Sequence, residues 1–252
     1  MKPDEYRKMA EVEDRMWYYR ALHAHVVRSL KQHSSRPAAS VLDAGCGTGG
    51  LLRALAAHDP AGKRTGLDFS ALACELARFR SDAEVVEGSV AELPFPAANF
   101  EAIVSCDVLC QVPDPARVLV EFYRCLRPGG VIILTMPAYQ WMFSYHDRAV
   151  ANLRRYSRRE VSVLCREAGF TVVQATYWNM LPFPLAVLRR KVLPPTEPAS
   201  DVRPFPAPVE TVFNGLMALE RGWLSAGGRL PFGSSVLTVA RKPSETDLIR
   251  PQ

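Results

Sequence analysis

Residues 40–50 read Ser40-Val41-Leu42-Asp43-Ala44-Gly45-Cys46-Gly47-Thr48-Gly49-Gly50, and this stretch decides the fold. A short apolar run ends in an acid, glycines follow, and Leu51-Leu52-x-x-Leu55 then opens a helical spacing. The order is strand, tight turn, helix. Glycine lets the backbone turn sharply and approach a ligand closely, because no Cβ intervenes. The helix start offers free N–H groups to an electron-rich partner. Gly45, Gly47 and Gly50 fit the dinucleotide spacing G-x-G-x-x-G, while Gly45, Gly47 and Gly49 fit G-x-G-x-G behind an acid. Asp43 separates the two readings. A carboxylate at the end of the first strand repels a pyrophosphate and suits a ligand that carries positive charge. A turn that only joins strand to helix is the remaining alternative.

The rest of the chain extends this unit. Residues 4–33 predict one helix, with Met9, Val12, Met16, Tyr19, Leu22, Val26 and Leu30 at spacings of three and four. Its Trp17-Tyr18-Tyr19 cluster packs on the next domain or closes over a ligand site. A linker follows over 34–39. The strand at 40–44 and a helix over 49–58 lead to a strand at 63–67 that ends in Asp68, 25 residues after Asp43. An acid near this offset takes ribose hydroxyls in nucleoside-binding α/β folds, or caps the helix over 70–79. Further strands are predicted at 83–87, 100–105, 131–136, 170–177 and 235–240. Asp114-Pro115 opens a helix as cap and first residue, Leu126–Gly130 closes it, and Ser157–Glu160 reads as a capping box. Residues 180–208 join an apolar run, Arg189-Arg190-Lys191 and a proline-dense, extended segment; 209–226 is helical. The alternation of strands and helices predicts a parallel, doubly wound sheet with a ligand beyond its strand C-termini.

The segment Asp43-Ala44-Gly45-Cys46-Gly47-Thr48-Gly49 resembles motif I of the class I S-adenosylmethionine (SAM) methyltransferases. Gly88–Phe95 is similar to a G-D-x-x-x-L-P-F segment of that family whose acid reads the adenine amino group; Ser89 stands in place of the acid, beside the Val90 N–H. Asp107–Asp114 stands where relatives carry L-x-H-V-x-D, with Gln111 at the histidine. Leu126–Gly130 is a recurrent family segment. The pattern from His146-Asp147 through Arg154-Arg155-Tyr156 to Ala168-Gly169-Phe170 resembles a poorly characterised small-molecule branch. The resemblance covers about 40–178 and extends to the last strand. It implies an α/β, seven-stranded Rossmann-like methyltransferase sheet, mostly parallel with an antiparallel last strand and helices on both faces. An N-terminal lid helix and a helical, proline-rich insert before the last strand complete it. The corresponding division is 1–36 lid, 37–178 SAM-binding domain, 179–230 insert, 231–242 last strand and 243–252 tail.

On this reading, Asp43, Gly45, Cys46, Gly47 and Gly49 face the methionine end of SAM. Asp68 takes the ribose, Phe69, Ser89 and Val90 flank the adenine, and Cys106 lines the wall beneath the sulfonium. His146 is the candidate base, because its free pKa lies near neutrality, with Asp147 orienting it or acting itself. Tyr18, Trp141, Arg154, Arg155 and Tyr156 are candidates for the acceptor, an anionic one included. The alternative for the 139–156 cluster is a surface loop held by ion pairs.

Composition narrows the classes. The chain has 252 residues, 48% hydrophobic, with a net charge of +5 that is spread rather than blocked, so no nucleic-acid partner is expected. Six cysteines form no C-x-x-C pair, which points to reduced thiols, no metal site and a cytoplasmic setting. No apolar run is long enough for a membrane span, and no signal peptide is expected. The insert caps the pocket, makes a homodimer contact in place of a monomer, or rests on a membrane surface. The expected function is transfer of a methyl group from SAM to a small-molecule acceptor (EC 2.1.1.-), releasing S-adenosylhomocysteine. The alternatives are an NAD(P)-linked oxidoreductase and a non-catalytic SAM-fold interaction protein.

Overall fold

The computed structural model describes residues 1–34, 40–194 and 200–244. Most of the 34–39 linker, part of the proline-dense segment and all but the first residues of the tail lie outside them.

The glycine turn sits where its sequence puts it, between β1 (Val41–Ala44) and α3 (Gly50–His58). Strands β2 (Arg64–Asp68), β3 (Glu84–Glu87), β4 (Phe100–Cys106) and β5 (Leu126–Pro137) run parallel to β1. Strand β7 (Ser235–Arg241) enters antiparallel between β5 and β6 (Thr171–Trp178). The order is β3-β2-β1-β4-β5-β7-β6, the seven-stranded sheet expected from the sequence.

Side-chain alternation sorts the central strands into two cores. Ile103, Ile132, Leu134 and Val236 face one, where α5 (Pro115–Cys125) brings Leu119 and Phe122 and α7 (Arg158–Glu167) brings Val161 and Cys165. Ala102, Val104, Ile133 and Leu237 face the other, with Leu22 and Val26 of α2 (Trp17–His33) and Met217 and Leu224 of α9 (Ala207–Ser225). Burial on both faces explains why these strands read as continuous apolar runs.

The predicted caps hold. Asp114 Oδ1 accepts the Arg117 N–H at 3.1 Å at the start of α5. Ser157 and Glu160 exchange bonds of 3.2 and 2.6 Å at the start of α7, which ends at Gly169 with φ +92°. Ser70, rather than Asp68, caps α4 (Ala71–Arg80) by accepting the Ala73 N–H.

Three local readings change. The long N-terminal helix is two, α1 (Pro3–Val12) and α2, because Glu13 turns inward to bond the start of α3. The first free N–H of α2, on Trp17, finds Glu210 Oε2 of α9 at 2.7 Å, a partner 193 residues away. Leu126–Gly130 is not a plain helix-ending turn: Leu126 pairs with Phe100, and the ladder resumes at Val131 opposite Ala102. Within the insert, α8 (Phe183–Val187) continues into one wider turn over Leu188–Val192.

After β5 the chain folds back on itself. Tyr139 N–H bonds Tyr156 O and Tyr156 N–H bonds Pro137 O, each at 3.0 Å. Between them lies α6 (Tyr145–Ala149), whose start is tied by the Ser144 N–H to Asp147 Oδ2 at 2.9 Å. Asp147 Oδ1 accepts Arg155 Nε at 2.8 Å and Asn152 Nδ2 at 3.0 Å, and Arg155 also donates to Ala138 O. The Asp147 and Arg155 side chains are 0% and 1% exposed, so removing one partner strands the other's charge away from water. Burial pushes the Asp147 carboxyl up, but Arg155, Asn152 and the Ser144 N–H outweigh it and hold the group below the usual range. We expect Asp147→Asn to destabilise the chain by about 3 kcal/mol or more at pH 7 in urea unfolding. A depressed folded-state pKa stabilises above the unfolded value, so the gap should close as the pH falls below about 3.9. Equal unfolding midpoints at pH 7 would show that the pair does not hold this segment.

Candidate functional site

One cavity of about 520 Å³ opens beyond the C-termini of the parallel strands, large enough for a cofactor-sized ligand. It runs from the ends of β1 and β2, past β4, to the ends of β5, β6 and β7. Asp43, Asp68 and Asp107 line it from three successive neighbours in the sheet.

The β1 and β2 half holds the glycine turn. Gly45 has φ +92°, and a Cβ there would lie 2.2 Å from Val108 Cγ2, so only glycine fits. Gly47 has φ +52°, and its N–H donates to Asp68 Oδ2 at 3.0 Å. Asp68 Oδ1 accepts the Ser70 N–H at 3.0 Å and the Tyr6 hydroxyl at 3.2 Å. Helix α1 therefore lies over this half, with Tyr6 on the acid that the sequence assigned to a ribose. Glu13 enters from the α1–α2 junction. It accepts the Thr48 hydroxyl, the Gly50 N–H at 3.2 Å and Arg80 at 2.7 Å, and so caps α3 from outside it.

Asp43 is 2% exposed, and its Oδ2 has no hydrogen-bond partner. Burial, with the nearby Glu13 and Asp68 carboxylates, pushes its carboxyl up to about 8. Glu5 Oε2, on the same wall, is also buried without a partner. Buried carboxyls left without a donor or cation match a ligand that brings positive charge near the turn.

The sequence-predicted cofactor residues Gly45, Cys46, Gly47, Phe69, Ser89, Val90 and Cys106 all line the cavity together with Asp43 and Asp68. Gly49 does not; with φ +84° it serves the turn and the approach to Ala77 on α4. Of the acceptor candidates, Tyr18 and Arg155 line the cavity. Trp141 is 55% exposed and stacks on Tyr139, Arg154 donates to Pro113 O, and Tyr156 is buried with its hydroxyl on Leu109 O; none of the three is a lining residue. These corrections share a cause: the 138–156 hairpin alternates its side chains between the cavity, the core and solvent.

His146 lines the cavity, whereas Asp147 is spent on Arg155 and does not. His146 Nδ1 accepts the Asp201 N–H at 3.0 Å, so the neutral ring carries its proton on Nε2. Burial and the Arg190 guanidinium lower its pKa to about 4. Asp201 also binds Arg190 Nη2 at 2.8 Å and Arg189 Nε at 3.1 Å. Burial raises the Asp201 carboxyl, but Arg190, His146 and Arg189 bring it down to about 2. Thus Arg155, Arg189 and Arg190 each face a carboxylate already. Leu185 and Ala186 of α8, Val202, Phe205 and Phe213 give this half an apolar wall.

Sequence reasoning missed Tyr6, Glu13, Asp107 and Asp201 as site residues. Only Asp107 carried a local signal, an acid at the end of an apolar strand. The six cysteines are unpaired, and among the described residues no cluster of His, Cys, Asp and Glu could hold a metal ion. No described helix is long and apolar enough to cross a membrane.

Residues 42–134 match the family described as "Methyltransferase domain". The chain is 27% identical over 179 residues to 24-methylenesterol C-methyltransferase 3 of Arabidopsis thaliana, covering 58% of this chain and 48% of that protein. It spans about half the length of the curated relatives it matches. Among solved structures, it is similar to the methyltransferase chain in a complex with the Haloferax volcanii Trm112 methyltransferase activator, with a TM-score of 0.66, 23% identity and coverage of 96% and 95% of the two chains. It is also similar to geranyl diphosphate methyltransferase in complex with SAM, with a TM-score of 0.60, 18% identity and coverage of 87% and 85%. Residues 42–134 thus carry a methyltransferase-domain sequence through the glycine turn, on a seven-stranded sheet similar to those of solved methyltransferases.

Proposed function

We propose that this protein moves a methyl group from SAM to a small, largely apolar acceptor. The observation that carries the reading is Asp43: a carboxyl buried at the end of β1, one oxygen without a partner, held up to about 8 by burial and neighbouring acids. A cationic ligand is what such a group lacks. Gly45 and Gly47 bring backbone to the same spot, and Asp68, Phe69, Ser89 and Val90 extend the wall along a nucleoside's length. SAM supplies a methyl group on a positively charged sulfur that leaves neutral. The protein's share is then to position the acceptor and exclude water. Helices α1 and α2 serve as the lid, and α8 with Val202, Phe205 and Phe213 as the cap over the acceptor. The apolar wall supports such an acceptor, as do relatives whose names give a sterol and geranyl diphosphate as substrates.

The test is calorimetric titration with S-adenosylhomocysteine. Binding is expected, with Asp68→Ala weakening it at least about tenfold, because ribose bonds to a carboxylate are charge-assisted. No measurable binding, or an unchanged affinity in Asp68→Ala, sinks the proposal; tighter binding of NADH would favour an oxidoreductase instead.

A pH dependence follows from Asp43. Free, it holds its proton up to about pH 8; a bound cation favours the carboxylate. SAM binding near pH 7 should release up to about one proton, read from heats in buffers of different ionisation enthalpy. Affinity for SAM should rise with pH and level off above about 8. Asp43→Asn should abolish the release; a release that persists in this variant assigns the proton to another group.

A further inference from the structure

The sheet order makes the end of β4 the seam of the cavity. The proposed cofactor residues lie over β1, β2 and β3, and the apolar half lies over β5, β7 and β6. Asp107 is the residue at that seam. It lines the cavity with φ +57°, a left-handed conformation uncommon outside glycine. Local bonds maintain it: its N–H donates to Thr135 O at 2.9 Å, and its carbonyl accepts Cys110 Sγ at 3.1 Å and Gln111 Nε2 at 3.2 Å. Backbone held this way at a cavity wall is a signature of a positioned side chain.

That side chain is half satisfied. Tyr18 donates its hydroxyl to Asp107 Oδ2 at 2.9 Å, and the Tyr18 ring is fixed by stacking on Trp178 at 5.2 Å. Asp107 Oδ1 is buried without a hydrogen-bond partner. Every other candidate acid or base in this part of the cavity is engaged. Asp147 is taken by Arg155, Asp201 by Arg189 and Arg190, and the His146 lone pair by the Asp201 N–H. The carboxylate left with bonding capacity at the seam is Asp107.

We propose that the Asp107 carboxylate, held by Tyr18, stands at the transferring methyl group and receives the N–H or O–H of the acceptor. The inference rests on the SAM reading above. In the reaction, the acceptor nitrogen or oxygen forms its bond to the methyl carbon as the carbon–sulfur bond breaks. The bonding pair leaves on the now neutral sulfur, and the acceptor's proton passes to the Asp107 carboxylate. The acceptor is therefore an amine or a hydroxyl compound. His146, with its proton on Nε2, is left as a hydrogen-bond donor to the same molecule.

The test needs no knowledge of the acceptor. Sinefungin carries an amine where SAM carries its methyl group, and S-adenosylhomocysteine carries nothing there. Wild-type protein should bind sinefungin at least about tenfold more tightly, because a charge-assisted bond to a carboxylate is worth that ratio or more. In Asp107→Asn the preference should fall about tenfold, with affinity for S-adenosylhomocysteine within about twofold of wild type. Tyr18→Phe gives an independent measurement if the first variant fails to fold. The groups that face Asp107 are Tyr18 and Tyr19 of α2, Cys106 of β4, Cys110 in the next turn, and Asp147 and Arg155 after β5. Of these, the Tyr18 hydroxyl lowers the Asp107 pKa against the burial that raises it. Removing that hydroxyl should move the acid-side loss of the sinefungin preference to higher pH. A wild type without the preference, an Asp107→Asn that keeps it, or a Tyr18→Phe with an unshifted pH midpoint overturns the proposal while leaving SAM binding intact. Failure of S-adenosylhomocysteine to bind wild type instead overturns the SAM reading on which it rests.

Discussion

A carboxylate taken out of water must find a positive charge, find hydrogen-bond donors or keep its proton. This constraint organises the C-terminal edge of the sheet. Glu13 is buried and answered by Arg80, Thr48 and the Gly50 N–H at the start of α3. Asp147 is answered by Arg155, and Asp201 by Arg189 and Arg190. Glu220 of α9 accepts the Asn179 and Leu181 N–H groups and pins the insert to the end of β6. Glu13 and Glu220 tie together segments distant in sequence, Asp147 holds the hairpin after β5, and Asp201 binds the turn that continues α8, so each is already engaged. Asp43, Asp107 and Glu5 keep an oxygen without a partner, and all three face one cavity. Asp68 lies between the two groups: it lines the same cavity while both of its oxygens accept bonds from Gly47, Ser70 and Tyr6.

The same accounting changes the reading of the cavity half over β5, β7 and β6. Three arginines beside a cavity suggest an anion, but each is already matched to a carboxylate, so the cavity there is less positive than its residue list. What remains is an apolar wall with a few directed polar groups, the usual makeup of a small-molecule pocket. The N-terminal helices are tied to the sheet in the same way. Helix α1 reaches the glycine turn through Tyr6 and Met9, and Glu13 breaks the helix in order to cap another.

Much of the fold was legible. Strand periods, the Asp114-Pro115 and Ser157–Glu160 caps and the glycine turn are local features, set by residues within one or two turns of each other. The cavity wall beside the glycine turn was legible for the same reason: its residues follow strand ends at β1, β2, β3 and β4, and strand ends can be read from the chain. Gly49 shows the limit, since the spacing that marks it as part of the turn does not tell whether it faces the ligand or α4. The half of the cavity beyond β4 was poorly legible. Arg154, Arg155 and Tyr156 are consecutive, yet the hairpin after β5 sends them to Pro113, Asp147 and the core.

By itself the sequence determined the order of strands and helices and the tight turn after Asp43, because these depend on backbone freedom and on neighbours in the chain. Tertiary structure decided which acids were free. Whether Asp43, Asp107, Asp147 or Asp201 is spent or available depends on cations and N–H groups that folding brings from up to tens of residues away. Burial sets the cost of leaving each one unpaired, and no local pattern records it.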